Sequence, residues 1–183
     1  MENKTIMLHK NAWKMLDGAR STKDETREAL ENIFIDAAGI TVTNGRMLVT
    51  LNADQAGGIG ALTPGAYSII AESKPNKDGY MELIISSSDL QFPDYKRVIP
   101  EAGPAAELKP VTIPASLKKD PLAMTRAVID LYKHTESAFN IEYVAILGLF
   151  NDTWHVNKPG KDKAARLTAL GALAILLPFK INE

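Results

Sequence analysis

The sequence has no cysteine, and its charges nearly cancel: 21 lysines and arginines face 22 acidic residues, giving a net charge of −1. Without cysteine, the chain forms neither disulfides nor thiolate metal sites, which is compatible with a cytoplasmic location. Without a large positive charge, the chain does not hold nucleic acid through its overall field. Any contact with DNA therefore requires a local basic face.

Long apolar runs are also missing. The longest, at 167–179, is interrupted by Thr168, Gly171 and Pro178. It is shorter than the ~20 residues that a membrane-spanning helix needs, so it predicts buried strand. The N-terminal apolar stretch is broken by His9 and Lys10 and does not resemble a secretory signal.

Catalytic signatures are absent as well. The three histidines, His9, His134 and His155, show no metal-ligand spacing. The glycine-rich stretch 57–60 lacks the following helix and the Lys-Ser/Thr pair of a phosphate loop. We therefore expect a protein that is not an enzyme and has no cofactor and no metal. A small hydrolase or transferase remains an alternative that nothing specific supports.

Apolar periodicity predicts helices and strands in a definite order. Helices are expected at 12–19 with Asn11 as its cap, at 121–132 with Asp120 as its cap, and at about 141–150 with Asn140 as its cap. Strands are expected at 5–9, 33–36, 40–42, 47–51, 66–70, 80–86, 111–113, 153–156, 165–169 and 172–180. The Asn44-Gly45 pair is a strong hairpin signal. Residues 53–65 are expected to form a loop, and the proline-containing stretch 87–110 a linker.

This order predicts an α+β fold with helices packed on antiparallel sheets. A first half at 1–100 and a second half at 101–183 are expected to form one compact unit together. Leu122, Thr125, Val128, Ile129 and Tyr132 fall on one face of the second predicted helix.

Four segments carry the functional information: residues 27–36 followed by Thr43-Asn44-Gly45-Arg46-Met47-Leu48, then residues 91–100, residues 139–144 and residues 177–181. The second reads Gln-Phe-Pro-Asp-Tyr-Lys-Arg-Val-Ile-Pro. In this order, they resemble the bacterial DNA polymerase III beta subunit, the replicative sliding clamp. The matching family signatures are Thr-Asp-Gly-His-Arg-Leu, Phe-Pro-Asp-Tyr-Arg-Arg-Val-Leu-Pro, Phe-Asn-Xaa-Xaa-Tyr and Met-Pro-Xaa-Arg-Leu.

The resemblance implies a DNA-clamp-like fold and a hydrophobic groove that binds short peptides of polymerases, clamp loaders and repair proteins. The implied groove residues are Thr43, Gly45, Arg46, Leu48, Pro93, Val98, Asn140, Tyr143, Ile175, Leu177, Pro178, Phe179 and Lys180. The chain departs from the family pattern at Asn44, Arg46, Met47, Leu177 and Lys180, and these departures bear on which peptide is preferred. The alternative for each segment is a purely structural role.

The resemblance also implies basic helices that face double-stranded DNA. The candidates are Lys10, Lys14, Arg20, Lys23, Lys118, Lys119, Arg126 and Lys133, against the alternative of solvated helix surfaces. The chain is half as long as the three-domain clamp subunit and is expected to form one clamp-like unit. Because sliding clamps have about six domains per ring, the resemblance implies that encircling DNA would require about six copies. Two hypotheses follow from the resemblance: a reduced processivity clamp that forms a homo-oligomer, and a peptide-binding regulator that forms no ring.

Overall fold

The structure is a computed structural model that describes residues 3–21, 27–102, 108–114, 119–150, 153–157 and 160–179. The chain divides into two compact units, Met1–Tyr95 (unit 1) and Lys96–Glu183 (unit 2).

The described part of unit 1 contains one α-helix and seven β-strands. The helix is α1, Lys10–Ala19. The strands are β1 Lys4–His9, β2 Ile33–Asp36, β3 Gly39–Thr43, β4 Met47–Asn52, β5 Ala56–Gly57, β6 Gly65–Glu72 and β7 Tyr80–Ser87. They form an antiparallel sheet in the order β5-β1-β7-β6-β2-β3-β4.

The apolar spacing predicted the buried face of α1 correctly, but the predicted start of the helix was wrong. Ala12, Met15, Leu16 and Ala19 are all buried, as the spacing predicts. The helix begins at Lys10 rather than Ala12, and its cap is His9 rather than Asn11. Nδ1 of His9 accepts a hydrogen bond from the backbone N–H of Asn11. The His9 side chain therefore caps the helix in place of the Asn11 side chain.

The stretch at 53–65 is more ordered than a loop. It contains two short 3-10 helices, Ala53–Gln55 and Ile59–Ala61, on either side of β5. Strand β5 pairs with Met7 and Leu8 of β1. Glycine is required next to this strand at Gly58, which has a φ of +86° and whose added Cβ would lie 2.9 Å from the carbonyl oxygen of Thr5.

The described part of unit 2 contains two α-helices and four strands. The helices are α2, Pro121–Thr135, and α3, Ile141–Gly148. The strands are β8 Lys109–Thr112, β9 Thr153–Val156, β10 Ala165–Ala169 and β11 Ala172–Leu176. They form an antiparallel sheet in the order β8-β9-β10-β11.

Both helix caps predicted for unit 2 are confirmed. The carboxylate of Asp120 accepts from the N–H of Ala123 at 2.9 Å, with Pro121 at the first helical position. Oδ1 of Asn140 accepts from the N–H of Glu142 at 2.8 Å. The last strand ends at Leu176, because the chain leaves the sheet before Pro178, whose ring cannot donate to a strand ladder.

The apolar residues of α2 lie on two opposite faces. Met124, Ala127, Leu131 and Thr135 are buried in unit 2. The face predicted from Leu122, Thr125, Ile129 and Tyr132 is exposed instead, and Val128 lies at its margin, half-buried. None of the helices in the described ranges combines the length and apolarity that crossing a bilayer requires.

Candidate functional site

The residues expected to line a groove are divided between the two units. Thr43, Gly45, Arg46, Leu48 and Pro93 belong to unit 1, and Val98, Asn140, Tyr143, Ile175, Leu177, Pro178 and Phe179 belong to unit 2. Lys180 lies outside the described residues. The convergence of the two sets on a single groove stays a prediction.

In unit 1, the β3–β4 hairpin is held by a dense set of local hydrogen bonds. Thr43 and Leu48 are paired across it and are both buried. The Thr43 hydroxyl donates to the carbonyl of Met47 at 2.7 Å and accepts from the N–H of Gly45 at 3.0 Å. Oδ1 of Asn44 accepts from the N–H groups of both Arg46 and Met47 at 2.9 Å. The hairpin therefore projects Gly45 and Arg46 into solvent on a rigid base.

Gly45 has a positive φ of +81°, a conformation that favours glycine. A Cβ added there would lie 2.8 Å from Nη1 of Arg27. The guanidinium of Arg27, from the first of the four segments, thus lies against the turn.

The Phe-Pro-Asp-Tyr segment is anchored on β2 by its two aromatic residues. Phe92 is buried and stacks on Phe34, with ring centroids 5.3 Å apart and planes inclined by 26°. Tyr95 is also buried, and its hydroxyl donates to Oδ2 of Asp36 at 2.9 Å. Between these anchors, Pro93 is exposed. Phe92 and Tyr95 therefore fix the backbone that presents Pro93.

In unit 2, the continuation of this segment is fastened to the sheet. Nη1 of Arg166 donates to the carbonyl of Pro100 at 3.0 Å, and Arg166 lies opposite Ile175 in the β10–β11 pair. Ile175 itself is buried in the sheet of unit 2. Val98 is exposed.

The chain beyond β11 runs beside the start of α3. The N–H of Phe179 donates to the carbonyl of Ala138 at 2.7 Å, two residues before the helix cap Asn140. Tyr143 lies on the first turn of α3 and is half-buried. This single backbone hydrogen bond places the segment 177–179 alongside residues 138–140.

Large apolar side chains are exposed on these predicted segments of unit 2. The exposed fractions are 54% for Val98, 39% for Leu177 and 60% for Phe179. Exposed apolar groups lose contact with water when a partner covers them, and they are therefore available as anchors for a ligand.

The basic candidates for DNA contact differ in their surroundings. Arg20 is occupied within unit 1: it pairs with Asp17 at 2.8 Å, donates to the carbonyl of Glu31 and lies 5.7 Å from the Trp13 ring. Lys10 and Lys14 are exposed on α1 and line a cleft of about 390 Å³.

Of the remaining basic candidates, Lys119, Arg126 and Lys133 are exposed in unit 2. Lys23 and Lys118 lie outside the described residues. In α2 the basic groups flank exposed apolar residues, and in unit 1 Arg20 is engaged internally, so DNA contact by these groups stays a prediction.

A second cleft in unit 1, of about 640 Å³, is lined partly by Arg20, Asn32 and Ser68. These polar groups are joined to neighbours: Oδ1 of Asn32 accepts from the Ser68 hydroxyl at 2.8 Å, and its amide donates to Ser88. Among the described residues, no group of three His, Asp or Glu side chains is placed to hold a metal ion.

Several residues that shape the site were not singled out from the sequence for these roles. Phe34, Asp36, Arg166 and Ala138 act through long-range contacts with the predicted segments. Phe34 and Asp36 lie within the first of the four segments, but neither their partners nor those of Arg166 and Ala138 could be predicted, because each partner lies at least 40 residues away along the chain.

Solved structures of bacterial sliding clamps share this fold. The DNA polymerase III subunit beta from Pseudomonas aeruginosa superposes with a TM-score of 0.59 at 13% identity, over 99% of this chain and 66% of that chain. The beta subunit from Thermotoga maritima gives a TM-score of 0.57 at 13% identity, over 100% and 67% of the two chains. A sliding clamp from Bartonella birtlesii bound to griselimycin gives 0.57 at 14% identity, over 97% and 66%.

The α+β, DNA-clamp-like fold expected from the four segments is thus confirmed. The chain spans about two thirds of the length of the clamp chains that it matches. No protein-family model and no curated protein matches the sequence.

Proposed function

We propose, from the sliding-clamp fold and the exposed apolar residues of unit 2, that this chain is a non-catalytic accessory protein of DNA replication. Its role is to bind short peptide segments of polymerases or clamp loaders. The observation that carries the proposal is the exposure of Val98, Leu177 and Phe179 on the segments that resemble the clamp's peptide site. One clamp of this fold, from Bartonella birtlesii, is bound to griselimycin, which supports a ligand site on such a fold.

The geometry of unit 2 suits recognition of an extended peptide. Residues 177–179 leave the sheet, and Phe179 remains tied to Ala138 by one backbone hydrogen bond. Covering an exposed apolar side chain contributes roughly 1.5–3 kcal/mol when burial is complete. Several such anchors, together with hydrogen bonds to the peptide backbone, reach the ~8 kcal/mol of a micromolar complex after the cost of ordering the peptide.

Unit 1 carries exposed positions of its own for peptide contact. Its β3–β4 turn is rigid, with Arg46 exposed at the tip. Pro93 is exposed between two buried aromatic anchors. A preorganised surface limits the conformational entropy lost on binding, which favours affinity from a small contact area.

The peptide-binding role is favoured over a role in encircling DNA. The guanidinium of Arg20 is engaged with Asp17 and the carbonyl of Glu31, and the net charge is −1. Phosphate contacts require exposed cations on the facing surface. A processivity clamp is the second candidate, supported by the fold and by five exposed cations, Lys10, Lys14, Lys119, Arg126 and Lys133.

Isothermal titration of the full chain with a synthetic clamp-binding segment of a replicative polymerase tests the proposal. We expect a dissociation constant in the micromolar range, ~8 kcal/mol, and roughly tenfold weaker binding by Phe179→Ala. The matched control is Leu170→Ala, which removes an exposed apolar side chain elsewhere in unit 2 and should bind like the parent protein.

A second peptide, with its apolar anchors replaced by alanine, controls for non-specific binding. Absence of binding heat with the intact peptide at millimolar concentration would reject the peptide role. If Leu170→Ala and Phe179→Ala weaken peptide binding equally, the peptide site lies elsewhere on the protein.

DNA binding is tested separately. A processivity clamp should retain circular duplex DNA and release it on linearisation, whereas a peptide-binding regulator should show no dependence on DNA topology. Lys10→Glu with Lys14→Glu should reduce retention and leave peptide binding unchanged, because both residues lie on α1.

A further inference from the structure

The cleft of about 390 Å³ in unit 1 lies between α1 and the end of β6, and we call it the lysine cleft. Its volume is within the ~300–1,000 Å³ of small-ligand sites. Three exposed cations line it: Lys10 and Lys14 from α1, and Lys74 from the β6–β7 connection. Its buried lining is apolar, because Trp13 and Met81 are each only 5% exposed. The cleft therefore combines positive charge with an apolar floor.

The two acidic side chains that line the cleft are already engaged. Asp17 forms an ion pair with Arg20 at 2.8 Å. Oε2 of Glu72 accepts a hydrogen bond from Nε1 of Trp13 at 2.6 Å, which ties the end of β6 to α1. Within the described ranges, none of the three lysines of the cleft forms an ion pair. Three ammonium groups therefore remain available to an anionic ligand.

The two walls of the cleft present these lysines in an arrangement that an anion would stabilise. Lys10 and Lys14 are four residues apart on α1, a spacing at which like charges are neighbours and destabilise a helix. On the other wall, the N–H of Ser73 donates to the carbonyl of Glu82, and the N–H of Glu82 donates to Oγ of Ser73, both at 2.9 Å. These bonds fix the backbone that carries Lys74. A bound anion would offset the repulsion between the two lysines of α1.

We propose that the lysine cleft binds a small phosphate ester, with its phosphate groups beside the three lysines and its organic part against Trp13, Met81 and the exposed Pro75. Lysine is a compact charge with three N–H donors, which suits phosphate oxygens. The apolar lining favours an organic phosphate over an inorganic one, because covering apolar surface contributes affinity that a bare anion lacks. A nucleoside diphosphate has both parts. The site lies within unit 1 and shares no residue with the proposed peptide contacts.

The lysine cleft is open to solvent, so the expected affinity is modest. Exposed ion pairs each contribute little, because water and dissolved salt screen them. We expect a dissociation constant of about 0.1–1 mM for a nucleoside diphosphate at low ionic strength, and weaker binding as salt is added. Removing one of the lysines should weaken binding by about threefold to fivefold.

Isothermal titration of the full chain with ADP at low ionic strength tests the proposal. Adenosine lacks the phosphate groups and pyrophosphate lacks the organic part, so each should bind at least about fivefold more weakly than ADP. Lys10→Ala and Lys74→Ala should each weaken ADP binding by about threefold to fivefold, and the double variant by about tenfold or more. Both residues are exposed, so these variants should remain as stable as the parent protein in urea denaturation.

The matched control is Lys77→Ala, which makes the same charge change three residues from Lys74. Lys77 is exposed and does not line the cleft, so this variant should bind ADP like the parent protein. Binding of the polymerase peptide should be unchanged in all of these variants. Failure of the phosphate-ester site and failure of the proposed peptide role are therefore separate results.

Three results of the titrations would each overturn the proposal: no binding of ADP at millimolar concentration, binding of pyrophosphate as tight as that of ADP, or equal weakening of ADP binding by Lys77→Ala and Lys74→Ala. A duplex oligonucleotide at the same phosphate concentration distinguishes the phosphates of DNA from those of a small ester. Binding of the duplex that Lys74→Ala weakens, together with no binding of ADP, would assign these lysines to DNA and would also overturn the proposal.

Discussion

The hydroxyl of Tyr95 donates a 2.9 Å hydrogen bond to the carboxylate of Asp36, 59 residues earlier in the chain. The other oxygen of that carboxylate accepts from the N–H of Ala38 in the β2–β3 turn. Asp36 thereby links a hairpin turn of the sheet to the end of the Phe-Pro-Asp-Tyr segment. The exposed position of Pro93 depends on this link and on Phe92.

Replacing Tyr95 by phenylalanine removes the hydroxyl and keeps the ring. We expect the free energy of unfolding to fall by about 1–2 kcal/mol, because the carboxylate of Asp36 loses a buried donor. Urea denaturation measures the change. Tyr80→Phe is the control, since Tyr80 is exposed, and it should alter stability by less than about 0.5 kcal/mol. If Tyr95→Phe and Tyr80→Phe lower stability equally, the hydrogen bond from Tyr95 to Asp36 does not contribute to stability.

Phe92 and Pro93 should separate stability from binding. Phe92→Ala removes a buried ring stacked on Phe34 and should cost about 3–5 kcal/mol of stability. Pro93→Ala changes an exposed residue and should alter stability by less than about 1 kcal/mol. If Pro93 lines the proposed groove, its replacement weakens peptide binding in titration although the protein remains folded. If Pro93→Ala binds the peptide as tightly as the parent protein, Pro93 does not contact the peptide.

Gly45 adopts a backbone conformation that a side chain strains. Its φ is +81°, so Gly45→Ala should destabilise the protein by about 1–2 kcal/mol, whereas Nη1 of Arg27, 2.8 Å from the added Cβ, ends a flexible side chain and can move away. Gly60→Ala is the matched control, because its added Cβ meets no atom within 4 Å. Thermal unfolding of the two variants should differ clearly. A Gly45→Ala variant as stable as Gly60→Ala would show that the turn relaxes at little cost.

Asn140 has one role that the structure shows and another that is proposed. As the cap of α3, its Oδ1 accepts from the N–H of Glu142. Asn140→Ala should therefore lower stability by about 1 kcal/mol. Asn140→Asp keeps an acceptor for the cap but lacks the amide donor. We expect Asn140→Asp to fold normally and, if that amide contacts the peptide backbone, to bind the peptide more weakly. Chemical denaturation measures the loss of stability, and calorimetric titration measures the loss of peptide affinity.

Local signals account for the parts of the fold that were predicted correctly. The Asn44-Gly45 hairpin and the Asp120 and Asn140 caps depend on hydrogen bonds between residues at most four positions apart. Such bonds are set by residue type and spacing, so the sequence reveals them. The cap of α1 was mispredicted because both His9 and Asn11 offer an acceptor, and the choice depends on where the chain enters from β1.

The two faces of α2 show where periodicity stops being informative. Apolar residues occur at helical spacing on both sides of this helix, so the pattern alone does not say which side is packed. Packing in unit 2 buried Met124 and Leu131 and left Leu122 and Ile129 exposed. The exposed side of α2 could be identified only from the elements that pack against the helix in the structure.

The order of strands and helices, the hairpin turn and the four clamp-like segments were determined by the sequence, because each depends on neighbouring residues and on the chemistry of individual side chains. Tertiary structure decided which apolar groups are buried, that Asp36 binds Tyr95, and that Arg166 holds the carbonyl of Pro100. Those contacts join residues that are 59 and 66 positions apart. Their geometry is set by the packing of whole strands, which no local pattern encodes.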